Sequence, residues 1–357
     1  MVFLCYGLLF ILLLFSLASI LLPEFIFLQL IGISSLWICA EAVVYIYFYF
    51  SAPDIKQFWI PTEPGAALSV ADPLFGFRAQ SNVSGRVIKK INGKLIFDAE
   101  YTIDALGRRV TPGFSENDGD FLLFFGGSRT FGYGVSDQQT IPFYVSEGLG
   151  RKNVYNYSFS GWGPPQILTL LEQGKLQSEI SGEQGDVVLL MIGSHIRRSV
   201  GTLHIATRYN GGFYPRYTKD AQGAIVRDGM FINRTPFKTM LKTILSKSWV
   251  WYLLNPDDPL KPEDYQFAAE LLLEIHKKLR EQFTINRFIV FSHPDDLEAE
   301  HLGKILAGHE IEFHSLNSLF KVDPTKDSPL YHSMHDTHLT GLGNRLVAEA
   351  MEASLAE

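Results

Sequence analysis

Two stretches of the chain, far apart in sequence, carry side chains that could act together on an acyl group. Ser128 follows two glycines at the end of the apolar run Phe121–Phe125. A neutral serine is a poor nucleophile and needs a neighbouring base. Asp336 and His338 lie near the other end of the chain, so one loop can present an imidazole and the carboxylate that fixes its tautomer. These residues predict a Ser–His–Asp catalytic set.

Simpler interpretations of the same residues remain open. Ser128 could only cap the helix predicted after its turn, and Asp336 could cap the C-terminal helix. His332, His335, Asp336 and His338 could instead form a metal cluster, but no second acidic or histidine motif has matching ligand spacing. We expect neither a metal nor an organic cofactor, because a Ser–His–Asp mechanism needs none.

The elements that would position these residues follow a regular alternation. Continuous apolar runs predict strands, and helical stretches lie between them. This alternation is typical of a parallel sheet covered by helices on both faces, where ligand sites lie beyond the carboxyl ends of the strands. The predicted strands are 121–125, 154–158, 186–192, 287–291 and 311–315, and the predicted helices are 140–150, 165–180, 236–254, 263–283 and 338–354.

The region between residues 51 and 119 has a different character. Residues 51–75 are rich in proline and alanine without a helical period, which predicts an extended linker. Alternating runs around Asn92-Gly93 indicate a hairpin, so a small β-rich segment leads into the main domain at 120–357. Within that domain, residues 199–235 are predicted to be an insertion with a second hairpin.

The first fifty residues predict a membrane region. Residues 2–22 carry no charge, and residues 25–50 carry one, Glu41. A helix of about 20 apolar residues spans the hydrocarbon core, so the two stretches favour a transmembrane helical hairpin. The alternatives are a signal peptide followed by one anchor, or one span plus a buried helix. A signal peptide should begin with basic residues, and the first basic residue here is Lys56.

Composition narrows the range of partners. The 357 residues include 31 basic and 38 acidic side chains, for a net charge of −7. This argues against binding to duplex nucleic acid, because phosphate neutralisation needs a basic face. The two cysteines, Cys5 and Cys39, exclude a disulfide framework and a cysteine-rich zinc site.

Three blocks, taken together, resemble the SGNH (GDSL-like) hydrolase family, in particular its membrane-anchored bacterial members. The turn at Ser128 resembles the first block, with Gly-Gly-Ser in place of Gly-Asp-Ser. The run 156–163 resembles the second block, in which a glycine N–H, here that of Gly161, serves the oxyanion hole. Asp336 and His338 match the acid and the base of the last block. The resemblance implies a flavodoxin-like three-layer α/β/α domain with a central parallel sheet.

The third block departs from the family pattern. The family usually places an asparagine after the third strand, and its side chain donates a hydrogen bond to the oxyanion. The stretch Gly193–Arg198 contains no asparagine. His195 is the preferred substitute because an imidazole N–H is a well-fixed donor, and Ser194 is the alternative. The resemblance therefore implies an oxyanion hole formed by Ser128, Gly161 and His195.

The function expected from these features is that of a membrane-anchored serine esterase acting on a carbohydrate or lipid ester, such as an O-acetyl group. The alternatives are O-acyl transfer in cell-surface polysaccharide modification and a non-catalytic membrane-tethered binding module. The implied partners are the ester substrate and the bilayer. Substrates of anchored relatives lie mostly outside the cytoplasm, so the catalytic domain is expected on the periplasmic side of the inner membrane.

Overall fold

The structure is a computed structural model. It describes residues 24–356 apart from 116–118, 152, 203–204, 206–212, 235, 246–247, 255–258, 295 and 321–327. The chain forms two compact units. Within the described residues, unit 1 consists of 24–53 together with 244–254, and unit 2 consists of 54–243 together with 259–356.

Unit 2 contains a five-stranded sheet in which neighbouring strands are parallel. The strands of the described chain are β1 (Ile55–Pro61), β2 (Ser69–Asp72), β3 (Gly76–Ala79), β4 (Val83–Ile91), β5 (Lys94–Ile103), β6 (Phe121–Phe125), β7 (Val154–Asn156), β8 (Gln184–Met191), β9 (Pro215–Lys219), β10 (Ile225–Met230), β11 (Thr284–Ser292), β12 (Glu312–His314), β13 (Tyr331–Ser333) and β14 (Asp336–Leu339). The central sheet has the order β7-β6-β8-β11-β12. This is the flavodoxin-like order, with its topological switch point between β6 and β8.

Helices cover both faces of this sheet. They are α1 (Glu24–Ser51), α2 (Ser128–Phe131), α3 (Ile141–Leu149), α4 (Pro164–Glu172), α5 (Leu176–Glu179), α6 (Gly193–Val200), α7 (Phe231–Arg234), α8 (Pro236–Leu245), α9 (Trp249–Leu254), α10 (Pro262–Arg280), α11 (Leu297–Leu306) and α12 (Gly341–Leu355). Alternate residues of a strand point to opposite faces. Leu123 and Leu189 pack on the side of α4, α10 and α11, whereas Leu122 and Val188 pack on the side of α3 and α12. The predicted three-layer α/β/α fold is therefore confirmed.

The β-rich lead-in confirms one prediction and corrects another. Asn92 and Gly93 form the predicted hairpin turn between β4 and β5, both with the positive φ that a type I′ turn requires. The stretch 51–75, however, is not a simple linker. β1 pairs with β4 along its whole length, and β2 pairs with β3. An edge strand needs only a backbone partner, and the side chains of β1 are mostly exposed, so the sequence has no buried period to detect.

Two further boundaries differ from the predictions. The C-terminal helix begins at Gly341 rather than at 338, because Asp336–Leu339 is a strand that pairs with β13. The Thr340 side chain caps this helix by accepting a hydrogen bond from the Gly343 N–H, so Asp336 is free for another role. The second predicted hairpin is present as β9 and β10, which pair antiparallel.

Unit 1 is built around α1, which matches the helix predicted over 25–50. Residues Leu28–Ser51 are long and apolar enough to cross a membrane, a property that a signal sequence near an N-terminus shares. α9 packs against α1 within this unit. The other predicted membrane helix, 2–22, lies outside the described residues, so the hairpin remains a prediction.

Candidate active site

The turn that carries Ser128 lies at the carboxyl end of β6, beside the switch point of the sheet. A Cβ at Gly126 would lie 2.2 Å from Thr130 Oγ1, and one at Gly127 would lie 2.7 Å from His195 Nε2. The turn is therefore closed to side chains at both positions. The helix predicted after Ser128 is a single turn, α2, whose C-cap residue Gly132 has a φ of 84°. A helix this short has only a weak dipole.

Ser128, His338 and Asp336 lie in hydrogen-bonding sequence. The Ser128 Oγ is 2.8 Å from Nε2 of His338, and Nδ1 of His338 is 2.6 Å from Oδ1 of Asp336. Asp336 is buried, whereas Ser128 and His338 are only half-buried. The fold thus brings together the three side chains that the sequence singled out, although they come from positions 210 residues apart.

The hydrogen bonds fix the tautomer of His338. An ionised carboxylate can only accept, so Nδ1 carries the proton and Nε2 accepts from the Ser128 hydroxyl. Burial of the ring lowers the pKa of His338, and this effect outweighs the opposite influence of the Asp336 carboxylate. The positive charges of Arg129 and Lys89 lower it further. The imidazole is therefore neutral at neutral pH, which is the state that a general base requires.

A lysine from the β-rich lead-in contacts the other side of Asp336. Lys89 Nζ lies 2.8 Å from Oδ2 of Asp336, the oxygen that His338 does not use. Burial alone would raise the pKa of the Asp336 carboxyl, but hydrogen bonds from His338 and Lys89 outweigh it and hold the pKa well below its usual range. Lys89 lies on β4, 247 residues from Asp336, and no sequence motif connects the two.

Arg129, next to Ser128, links the end of β11 to β14, the strand that carries His338. Its guanidinium donates to the Thr337 carbonyl at 2.8 Å and lies 2.8 Å from Nε2 of His293. Because a guanidinium only donates, Nε2 of His293 accepts and Nδ1 donates to the Pro294 carbonyl. Burial and the Arg129 charge lower the pKa of His293 well below its usual value, so this ring is neutral. These contacts hold Thr337 and therefore the main chain beside His338.

The two backbone N–H groups that the sequence suggests for an oxyanion hole are those of Ser128 and Gly161. Among the described residues, neither the Ser128 N–H nor the Gly161 N–H has a hydrogen-bond acceptor. Gly161 has a φ of 88°, and a Cβ there would lie 2.9 Å from the Phe77 ring. Its carbonyl accepts from the Tyr214 hydroxyl at 2.7 Å. The second block is thus held in one conformation that requires glycine at 161.

His195 is buried next to the same turn. It is 1% exposed, its Nε2 lies beside Gly127, and neither ring nitrogen has a hydrogen-bond partner among the described residues. Burial, with the charges of Arg198 and Arg129, lowers the pKa of His195 well below its usual value. The neutral ring carries one N–H donor. Ser194, the alternative donor, is half-buried at the start of α6.

The alternative metal cluster is not assembled among the residues that the structure describes. No group of three or more His, Cys, Asp or Glu side chains there is placed to hold an ion. His335 is exposed, and His332 lies against the Phe97 ring with a centroid distance of 5.1 Å. Burial lowers the pKa of His332 to about 4. The side chains of Asp336 and His338 instead form hydrogen bonds with each other, with Lys89 and with Ser128.

No protein-family model matches the chain, and no curated protein matches it in sequence. Solved structures that it resembles include a lipolytic protein of the G-D-S-L family from Desulfitobacterium hafniense, at 11% identity over 66% of this chain and 99% of that chain, with a TM-score of 0.36. A catalytic mutant of the acetylxylan esterase Axe2 from Geobacillus stearothermophilus matches at 12% identity over 68% and 96%, with a TM-score of 0.36. A salicylyl-acyltransferase from a tetracycline biosynthetic pathway matches at 11% over 85% and 78%, with a TM-score of 0.31.

The chain is thus similar in structure to lipolytic proteins and esterases of the kind that its sequence blocks resemble. Identity and TM-score are both low, so these likenesses carry no weight for the chemistry.

Proposed function

We propose that the protein is a membrane-anchored serine hydrolase that cleaves ester bonds by a Ser–His–Asp mechanism. The observation that carries this proposal is the sequence of hydrogen bonds from Asp336 through His338 to Ser128, at 2.6 and 2.8 Å. A serine that only caps a helix has no use for a neutral imidazole backed by a buried, ionised carboxylate. A nucleophile needs both.

In the proposed reaction, the Ser128 oxygen attacks the ester carbonyl carbon while its proton passes to Nε2 of His338. The tetrahedral intermediate then collapses, and His338 returns the proton to the leaving alcohol. This leaves an acyl group on Ser128. Water attacks the acyl group with His338 again as base, which releases the acid and restores the serine. Asp336 stays ionised throughout and stabilises the imidazolium.

The oxyanion of each intermediate needs hydrogen-bond donors. We assign this role to the N–H groups of Ser128 and Gly161 and to the ring N–H of His195. Their support is that all three are without partners among the described residues and that His195 lies beside Gly127. Donors that are fixed before the reaction cost no reorganisation when charge develops. Ser194 is the alternative for the side-chain donor.

The substrate class follows from the family resemblance, and we propose a carbohydrate or lipid ester such as an O-acetyl group. If an alcohol rather than water takes the acyl group from Ser128, the same residues perform O-acyl transfer to a cell-surface polysaccharide. A non-catalytic binding module is disfavoured because it would gain nothing from the hydrogen-bonded order of Ser128, His338 and Asp336.

We also propose that α1 anchors the protein in the inner membrane, with the catalytic domain on the periplasmic side. The support for the anchor is the 24-residue apolar stretch Leu28–Ser51. The periplasmic placement rests on the resemblance to anchored relatives. A protease-sensitive tag at the C-terminus tests it: digestion in spheroplasts is expected, and protection until lysis would contradict the placement.

A fluorophosphonate probe tests the proposed nucleophile in detergent-solubilised full-length protein. Wild-type protein is expected to be labelled and to hydrolyse p-nitrophenyl acetate. Ser128→Ala should abolish labelling and reduce kcat by about 10⁶-fold, the loss typical for a triad serine. Ser178→Ala, at an exposed serine, is the matched control and should behave as wild type.

Absence of labelling in folded wild-type protein would favour the binding module instead.

Hydrolysis and transfer are distinguished by their products. With an O-acetylated glycan as donor and a second glycan as acceptor, free acetate indicates hydrolysis, and acetate on the acceptor indicates transfer.

A further inference from the structure

Glu41 lies within an otherwise uncharged helix and has partners from a distant part of the chain. From Phe25 to Ser51 it is the one charged residue. Its carboxylate accepts hydrogen bonds from the Ser248 hydroxyl and from the backbone N–H of Trp249, at 2.8 Å, and of Val250, at 3.4 Å. These N–H groups open α9 and have no acceptor within their own helix.

Aromatic contacts extend the junction between α1 and α9. The Trp249 ring stacks on Phe48 with a centroid distance of 5.1 Å and meets the edge of Tyr45 at 5.9 Å. Glu41, Tyr45 and Phe48 follow one another at spacings of four and three, so they share one face of α1. α9 is therefore docked on α1 by a carboxylate cap and by packed rings.

The junction lies well inside the helix rather than at its end. α1 continues for ten residues beyond Glu41, to Ser51, which is about 15 Å at the helical rise. If α1 crosses a bilayer, as proposed above, Ser248 and the start of α9 lie within the hydrocarbon. Unsatisfied N–H groups and lone carboxylates are both unfavourable there. Glu41 and α9 satisfy each other at that depth.

The outer surface of this segment suits lipid. Residues 248–254 carry no charge, and Leu253 and Leu254 are 52% and 67% exposed. The outward-facing side of α9 is therefore apolar.

We propose that α9, docked on α1, is a second membrane-contacting element whose exposed apolar surface is covered by the hydrocarbon of a phospholipid bilayer. This inference rests on the proposed anchoring by α1 and goes beyond the proposed activity. Lipid is the expected occupant because the exposed apolar surface of α9 continues the exposed apolar surface of α1. It also implies that α1 stays in the mature protein, because cleavage of a signal sequence after α1 would remove the cap of α9.

Spin-label accessibility tests this in full-length protein reconstituted in vesicles of phosphatidylcholine and phosphatidylglycerol. In a Cys5→Ser, Cys39→Ser background, single labels are placed by Leu254→Cys in α9, Leu36→Cys in α1 and Lys304→Cys on the exposed side of α11. Collision with oxygen reports lipid, and collision with a nickel chelate reports water. The label at 254 should show high oxygen and about tenfold lower nickel accessibility than the label at 304, because a polar complex is excluded from hydrocarbon.

Two results at position 254 would overturn the inference. High nickel accessibility would mean that α9 lies in water. Low accessibility to both reagents would mean that protein covers it, such as a second copy of the chain. The label at 36 separates the two proposals, because nickel access there would show that the anchor itself is wrong.

Glu41→Ala tests the role of the cap. Nickel accessibility at 254 should rise about threefold when α9 loses its acceptor, and Glu41→Gln, which keeps an acceptor oxygen, should raise it less. Glu24→Ala removes the other acidic residue of α1 and is the matched control. An unchanged profile in Glu41→Ala protein would contradict the capping role. If that variant fails to insert, the measurement with native Glu41 still decides whether α9 contacts lipid.

Discussion

The two sides of Ser128 differ in how their polar atoms are satisfied. On the acid–base side, each polar atom of Asp336 and His338 has a partner, and Lys89 and Arg129 fix the neighbouring groups. In the proposed oxyanion hole, the N–H groups of Ser128 and Gly161 and both ring nitrogens of His195 have no partner among the described residues.

This difference fits the separate tasks of the two sides. A base must hold one tautomer and one orientation before substrate arrives, so its hydrogen bonds are made within the protein. An oxyanion exists only during the reaction, and its donors must be fixed but vacant. Buried polar atoms without partners are unfavourable for stability, which supports the proposal that a bound substrate completes these hydrogen bonds.

The largest expected effect comes from removing the carboxylate of Asp336 on the acid–base side. In Asp336→Asn, the amide N–H₂ would face Nδ1 of His338 and favour the tautomer with the proton on Nε2, which cannot accept from Ser128. We expect kcat to fall about 10⁴-fold. Steady-state kinetics with p-nitrophenyl acetate measures this.

Asp336→Asn also leaves Lys89 without its anionic partner, so loss of folding must be separated from loss of chemistry. The double variant Lys89→Met, Asp336→Asn removes the unpaired lysine. It should regain thermal stability relative to Asp336→Asn but not activity. If the double variant regains activity too, Asp336 acts through the fold and not on His338.

A smaller effect is expected from removing one donor of the proposed oxyanion hole. His195→Ala should lower kcat by about 10²- to 10³-fold with little change in KM, the loss typical of one oxyanion donor. His195→Asn, which supplies an amide N–H at this position, should retain more activity. Ser194→Ala is the matched comparison and should change kcat much less.

The opposite order, with Ser194→Ala the more damaging, would transfer the donor role to Ser194. If neither variant affects kcat, the vacancy of His195 has no catalytic meaning, and the contrast between the two sides of Ser128 would be reduced to a difference in packing.

The sequence predicts the parts of this molecule that depend on local pattern. The run Phe121–Phe125 is apolar at every position because both faces of its strand are buried, and the structure places β6 at those five residues. Ser128, Asp336 and His338 stand out because their residue types and neighbouring glycines are unusual. β1 was not predicted because an edge strand with mostly exposed side chains shows no alternation of apolar and polar residues.

Contacts made only by the tertiary fold could not be predicted. Lys89 lies on an alternating strand in which lysine is an ordinary surface residue. Only the packing of the β-rich lead-in against the β13–β14 hairpin brings it to Asp336. The capping of α9 by Glu41 is similar, because its partners are 207 to 209 residues away and two of them are backbone groups without a sequence signature.

Lys89 gives the smallest and most specific prediction. Its positive charge is one of the influences that lower the pKa of His338. Because the neutral imidazole is the active form, kcat/KM should rise with pH through this pKa and then level off. In Lys89→Met the pKa of His338 should be higher, so the rising limb should move toward higher pH. A pH profile of kcat/KM measures the shift.

The rate on the plateau of Lys89→Met should fall by only about threefold, because Asp336 still orients His338 through a hydrogen bond that does not involve Lys89. Lys89→Arg keeps the charge and should keep the limb in place. Arg86 lies on β4, as Lys89 does, and forms an exposed ion pair with Asp98 of β5, so Arg86→Met is the control for general effects on the lead-in. If Lys89→Met instead reduces thermal stability without moving the rising part of the pH profile, Lys89 only stabilises the fold and does not tune His338.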